Sequence, residues 1–220
     1  MTKNRLGLFA STNSPTLLHE EALWARGIHP VAGVDEAGRG PLAGPVTAAA
    51  VILPEGFALP GLNDSKKLSH RQREKLYVRL TEDKRVFYAI AHASSEEIGH
   101  LNILRATALA MKRSLEGLLE NGHQIHHALI DGLPVKGLPV EQTALVGGDG
   151  LSLSIAAASI LAKVTRDRIM EDLDREFPHY GFARHRGYAT AEHLDRLRTY
   201  GPCPHHRRGF APVDQTTFNF

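Results

Sequence analysis

Cysteine is all but missing from this chain: Cys203 is the only one in 220 residues, which excludes an internal disulfide framework. No apolar run approaches the ~20 residues that span a bilayer, and the N-terminal residues lack the apolar core of a secretory signal, so a cytoplasmic protein with no membrane attachment is expected. Internal repeats and low-complexity segments are absent too. Nor is there a charge imbalance, since 26 Lys and Arg stand against 24 Asp and Glu for a net charge of +2. Bulk charge therefore says little about a polyanionic partner, and only its distribution is informative.

What is present is enough hydrophobic residue, 42% of 220, for one well-buried core with an appendage but not for two ordinary domains. Residues 1–27 carry a weak helical pattern around Leu17, Leu18, Leu23 and Trp24 and read as an N-terminal extension packed on the core. The core is expected over 28–177, followed by a C-terminal appendage over 178–220.

The stretch that organises the chain is Gly33-Val34-Asp35-Glu36-Ala37-Gly38-Arg39-Gly40-Pro41-Leu42-Ala43-Gly44-Pro45. Apolar runs on either side predict two strands joined by a glycine-rich turn, with the two acids at a strand end. Successive strand residues face opposite ways, so Asp35 and Glu36 share a site only if the longer Glu36 swings round from the turn. Two carboxylates held that close raise one another's pKa unless a cation lies between them, and hard oxygen ligands suit magnesium or manganese. An arbitrary Asp-Glu pair is most often a solvated turn. Here the glycines at 38, 40 and 44 clear side chains from a place where backbone meets ligand or turns sharply. The segment Gly38 to Ala43 also fits a G-x-G-x-x-A dinucleotide pattern, but Gly44-Pro45 ends any helix after one turn, which excludes that use.

Further along, Ser69 and Gln72 form a capping box that opens a helix with Leu76 and Leu80 inward. Lys66 and Lys67 precede that helix start, where a phosphate is favoured; solvated surface lysines are the equal alternative. A third strand is expected near Arg85–Ala91. One long helix follows, its inward stripe Leu101, Leu104, Ala108, Met111, Leu115 and Leu118, stopped by Asn121-Gly122. Ile125–Gly132 predicts a strand ending in Asp131, and Thr143–Val146 one leading into Gly147-Gly148-Asp149-Gly150. Three strands thus carry an acid at the carboxyl end, where sites collect in open α/β sheets and where divalent ions for phosphoryl chemistry are held. A second long helix is expected over Ser152–Glu176 on Ile155, Ala158, Ala162, Ile169 and Leu173. Beyond it, tyrosines interleaved with the basic residues from Arg184 to Arg208 suit a nucleic-acid groove, with Thr190 capping a short helix. A solvated basic surface is the alternative.

With these elements placed, the chain closely resembles the bacterial ribonuclease HII family from about Val31 to Val213. The resemblance rests on Gly33–Pro41, on Leu62-Asn63-Asp64-Ser65-Lys66-Lys67-Leu68-Ser69, on Leu129-Ile130-Asp131-Gly132, on Ala157–Asp167, and on Tyr180-Gly181-Phe182 with Gly187-Tyr188. It implies an α/β fold, a ribonuclease H-like mixed five-stranded sheet flanked by helices, with a small helical C-terminal appendage that binds substrate. It implies that Asp35, Glu36, Asp131 and Asp149 hold divalent metal, Mn2+ or Mg2+, and are the catalytic residues. It implies that Gly38-Arg39-Gly40 reads a ribose 2'-hydroxyl, that Tyr188 stacks on a sugar at the RNA/DNA junction, and that Ser65, Lys66, Lys67, Lys163 and Arg186 help bind substrate. The activity implied is two-metal-ion cleavage of RNA/DNA hybrids and of ribonucleotide-containing duplex DNA on the 5' side of a ribonucleotide, by a monomer. Two departures stand out: the family often has Lys-Gly-Asp at 147–149 and His-Lys-Gly at 185–187, where this chain has Gly147 and Arg186. Rival readings are a non-catalytic hybrid binder, which would not need four acids, and a junction resolvase, which would have no 2'-hydroxyl to read.

Overall fold

The computed structural model describes residues 14–216. In chain order the elements are α1 (Leu18–Trp24), β1 (Val31–Ala37), β2 (Val46–Ile52), α2 (His70–Glu82), β3 (Phe87–Ala93), α3 (Ser95–Leu101) and α4 (Ile103–Glu120). They continue with β4 (His127–Asp131), β5 (Gln142–Leu145), α5 (Leu153–Glu176), α6 (Phe182–His185), α7 (Ala191–Tyr200) and α8 (Ala211–Thr216). The five strands form one mixed sheet in the order β3-β2-β1-β4-β5. β1, β2 and β3 pair antiparallel, whereas β4 and β5 run parallel to β1.

β2 is buried along its whole length because helices cover both faces of the sheet. Its alternating residues divide cleanly: Ala49 and Val51 join the core under α5, whereas Ala48 and Ala50 join the core under α4. Such small side chains let α5 come close. The approach is tightest at Gly33, where a Cβ would lie 2.2 Å from the Ser154 carbonyl carbon. On the opposite face Met111, Leu115 and Leu118 of α4 are almost fully buried, each contributing about 1.5–3 kcal/mol.

The long helix expected over Leu101–Leu118 is two helices. Asn102 takes a left-handed φ of 67° between them, and its side chain accepts from the amides of Leu104 and Arg105 as a cap. The register turns with that break, so Leu104, expected inward, is 64% exposed. The capping box at Ser69 and Gln72 is formed, and Leu76 and Leu80 are buried. Of the N-terminal extension, residues 1–13 lie outside the described residues; α1 packs on the core through Leu17 and Leu23.

The stretch after residue 177 is woven into the core. Ala43 and His206 form a bridge, the Leu42 amide donates to Gly187 O and the Gly44 amide to His205 O. Tyr180 and Phe182 pack with Ala43, Met170 and Leu173. Tyr180, 2% exposed, is a core residue. Among the described residues no helix is long and apolar enough to cross a membrane.

Candidate active site

Strand register decides which acids meet. β4 pairs with β1 only from Val31 to Val34, so Asp35 and Asp131 extend side by side just past the last pair, Val34 with Ile130. Both fall on the α5 face, the face of Gly33 and Leu129. Asp149 arrives from a short 3-10 turn, Gly148–Gly150, immediately before α5. The expected third strand end is thus a turn instead, held in place by the Gly148 amide, which donates to Asp131 Oδ1 at 2.7 Å. Ligand oxygens of Asp35, Asp131 and Asp149 lie within 4.8 Å of one another.

Glu36 is outside this trio: its Oε1 accepts from Arg39 Nη1 at 3.3 Å, yet its charge is the first after burial to act on Asp35, and Asp131 and Lys66 act on it in turn. Burial raises its pKa, opposed chiefly by Arg39.

Asp35 is 3% exposed, and burial, then the charges of Glu36 and Asp131, hold its carboxyl well above the usual range. Burial raises Asp149 too, and its relief comes from Lys66, whose Nζ donates to Oδ2 at 3.1 Å. Gly147, where the family often has lysine, is left-handed at φ 69° with open space around it. Lys66 therefore supplies the cation beside Asp149. Three crowded carboxylates with one lysine among them fit a divalent cation, which would relieve the repulsion that raises Asp35.

The glycine-rich loop is built from the inside. Gly38 has φ +95°, and a Cβ there would fall 2.0 Å from Arg166 Nε. Gly40 is less constrained than expected: a Cβ would meet only Tyr188 Cε1, at an ordinary 3.7 Å. Tyr188 is 46% exposed beside that loop. Its backbone is held by buried neutral histidines. The Cys203 amide donates to His206 Nδ1, so the His206 proton sits on Nε2 facing His193 Nε2, and His193 Nδ1–H donates to Tyr188 O. Burial lowers His206 to about 3, which keeps the chain uncharged.

The remaining predicted substrate contacts are placed unevenly. Lys67 is exposed. The Ser65 hydroxyl is buried and accepts from Ser159 Oγ at 2.7 Å. Lys163 pairs with Asp167 at 2.7 Å, and Arg186 with Glu171 at 2.7 Å. Of the basic residues expected to form a groove from Arg184 to Arg208, Arg207 is buried and Arg184 is paired with Glu192 at the surface, whereas Arg198 and Arg208 are exposed. Sequence reasoning also missed Arg166, 1% exposed, which donates to Pro45 O and Ala43 O. Its spacing was a usable signal, since position 166 continues the apolar steps 155, 158 and 162 of α5.

Acids crowded past the ends of parallel strands, short of cations and facing an open loop, define a metal-dependent phosphodiester hydrolase of the ribonuclease H-like class. The family model of ribonuclease HII matches residues 32–213. The ribonuclease HII of Desulfitobacterium hafniense is 55% identical over 199 residues, 90% of this chain and 75% of that protein. That of Syntrophotalea carbinolica is 50% identical over 208 residues, covering 94% and 98%. Among solved structures, the ribonuclease H2 of Pyrococcus horikoshii matches with TM-score 0.63 and 26% identity over 84% of this chain and 96% of that one. A Bst ribonuclease HIII solved with Mn2+ shares the fold, with TM-score 0.67 and 18% identity over 85% and 68%. The chain belongs to the ribonuclease HII family, type 2 ribonucleases H that are metal-dependent endonucleases acting on the RNA of RNA/DNA hybrids.

Proposed function

We propose that this chain, besides cleaving the RNA strand of hybrids, nicks duplex DNA on the 5' side of a single embedded ribonucleotide, leaving 3'-hydroxyl and 5'-phosphate ends. The observation that carries the reading is the convergence of Asp35, Asp131 and Asp149 beside a loop whose backbone is shaped for close approach. The three aspartates would hold divalent metal, with Glu36, whose charge bears on Asp35 and whose Oε1 accepts from Arg39, as the fourth acid. Two divalent ions, magnesium or manganese, supply Lewis-acid activation of water and of the leaving oxygen when bound; a relative of this fold was solved with Mn2+. Gly38-Arg39-Gly40 then meets the 2'-hydroxyl that DNA lacks, which confines cutting to ribonucleotides. Tyr188 stacks on the sugar of the neighbouring nucleotide, and Lys66, released from Asp149, turns with Lys67 towards backbone phosphates. Lys163 and Arg186 support that groove through Asp167 and Glu171. The acting form proposed is a monomer.

The test is a DNA duplex containing one ribonucleotide, incubated with magnesium or manganese. Nicking at its 5' side is expected from the wild type. Asp131→Asn should lower the rate by about a thousandfold or more, the several kcal/mol that a catalytic metal contributes. Hybrid binding should stay near wild type, since phosphate contacts dominate affinity. Parallel loss of binding and cleavage would count against the metal role.

A further inference from the structure

Arg207 follows three histidine and proline residues in a stretch that reads as a basic surface, yet its side chain is fully buried. Nε donates to Gly44 O at 2.8 Å, Nη1 to Arg39 O at 3.0 Å and to Pro41 O at 2.8 Å. Nη2 donates to Gly38 O at 2.6 Å and to Pro45 O at 3.0 Å. A guanidinium carries five N–H donors, and here each bond ends on a backbone carbonyl of the same loop. The Arg207 amide adds a bond to Leu42 O at 2.8 Å. Burying a cation is costly unless it is compensated. The compensation comes from carbonyl dipoles, with the Phe210 ring 5.5 Å from the guanidinium carbon.

This arrangement has a geometric consequence. In a trans peptide C=O and N–H lie in one plane and point in opposite directions across the C–N bond. Drawing the carbonyls of Gly38 and Arg39 in towards the guanidinium therefore directs the amides of Arg39 and Gly40 away from it, in a loop that Tyr188 borders at Gly40. We infer that Arg207 is a positioning residue for ribose recognition: it fixes the peptide planes of Gly38–Pro45 so that the loop offers amide donors, rather than carbonyls, to a 2'-hydroxyl. The inference rests on the proposed reading of that loop as the ribose sensor. Lysine does not replace this function, since a point ammonium with three donors does not serve five carbonyls arranged around a planar fork. Arg207 is far in sequence from the acids and touches none of them in these bonds, so metal binding is expected to survive its loss.

The experiment compares wild type, Arg207→Lys and Arg207→Ala in three measurements: Mn2+ binding by calorimetry, affinity for a single-ribonucleotide duplex against the same all-DNA duplex in chelator, and single-turnover nicking. Both variants should bind Mn2+ as wild type does, lose the affinity ratio between the two duplexes, and nick about a hundredfold more slowly, the scale of a 1 Å misplacement of a reacting group. Millimolar guanidinium should restore part of the nicking rate and of the affinity ratio to Arg207→Ala, whose cavity is open, but not to Arg207→Lys. A purely structural role would lower Mn2+ binding and the affinity for both duplexes together, whereas a positioning role lowers the ratio alone. If Arg207→Ala does not fold, Arg207→Lys alone decides. A wild type that discriminates beside an Arg207→Lys variant that discriminates equally overturns the inference alone. A wild type that binds both duplexes alike overturns the loop reading, and the inference with it.

Discussion

Asp35 shows how far burial against like charges can push one carboxyl. Its ordinary value of 3.8 is raised by burial first and by Glu36, Asp131 and Asp149 after that, with only the Glu36 amide opposing as a donor at 2.6 Å. A carboxyl whose pKa is higher folded than unfolded costs nothing below the unfolded value, and its penalty grows as pH rises towards and through the folded value. The metal-free site should thus favour folding less as pH rises above the unfolded value of about 4. Asp35→Asn removes the penalty, so in chelator at neutral pH its Tm should exceed that of wild type, each kcal/mol relieved being worth about 2–4 °C at this chain length. Added Mn2+ should raise the wild-type Tm through binding to the folded state and leave the variant unmoved. A variant that melts below wild type in chelator, yet gains equally from Mn2+, would sink this account. Asp35 and Asp131 were legible because an acid closing an apolar run is conspicuous, and Asp149 because glycines flank it in the turn after β5. Arg207 was not, because nothing in His205-His206-Arg207-Arg208 distinguishes the one side chain that turns inwards.

At the level of elements, most of the sheet was readable from alternating apolar runs and glycine punctuation, whereas the helix boundaries depended on single caps. Asn102 before Ile103 is an N-cap in residue type, but an unbroken apolar stripe masked it. The link between α1 and α5 was not readable at all, since it joins residues far apart in sequence. Glu20, 1% exposed, accepts at Oε1 from Ser152 Oγ at 2.6 Å, from the Ser154 amide at 2.9 Å and from Ser154 Oγ at 2.6 Å. The carboxylate sits at the start of a 24-residue helix, where the dipole favours an anion. Thr16 bonds Leu151 O and the Leu153 amide from the same side. α1 therefore pins the segment that connects Asp149 to α5. Glu20→Ala leaves the Ser154 amide without its acceptor and the two serine hydroxyls only each other and should cost about 1–3 kcal/mol in urea unfolding. It should also weaken Mn2+ binding by loosening Asp149, and Glu20→Gln, which keeps an acceptor, should lose less of both. Unchanged stability in Glu20→Ala would show that α1 merely rests on the core.

Across the whole molecule, three of the six arginines expected to form a C-terminal groove are engaged within the chain, while Arg198 and Arg208 stay exposed. Arg184 is spent on Glu192, Arg186 on Glu171, and Arg207 on the loop carbonyls. Composition alone conceals this, because a cation that packs and a cation that faces solvent count the same in a net charge of +2. The cations left exposed beside the acids are Arg39, Lys66 and Lys67. Each phosphate neutralised on duplex DNA releases counterions and contributes about −0.9 to the slope of log K against log salt, so three contacts give a slope of about −3. That slope is measurable by titrating a single-ribonucleotide duplex across a salt series in chelator. Lys67→Ala should make it shallower by about one and weaken ribonucleotide and all-DNA duplexes alike, the behaviour of a phosphate contact that carries no sugar information. A slope of about −6 or steeper would mean that exposed Arg198 and Arg208, or Arg184 and Arg186 on leaving their partners, join the contact, restoring the groove read from the sequence.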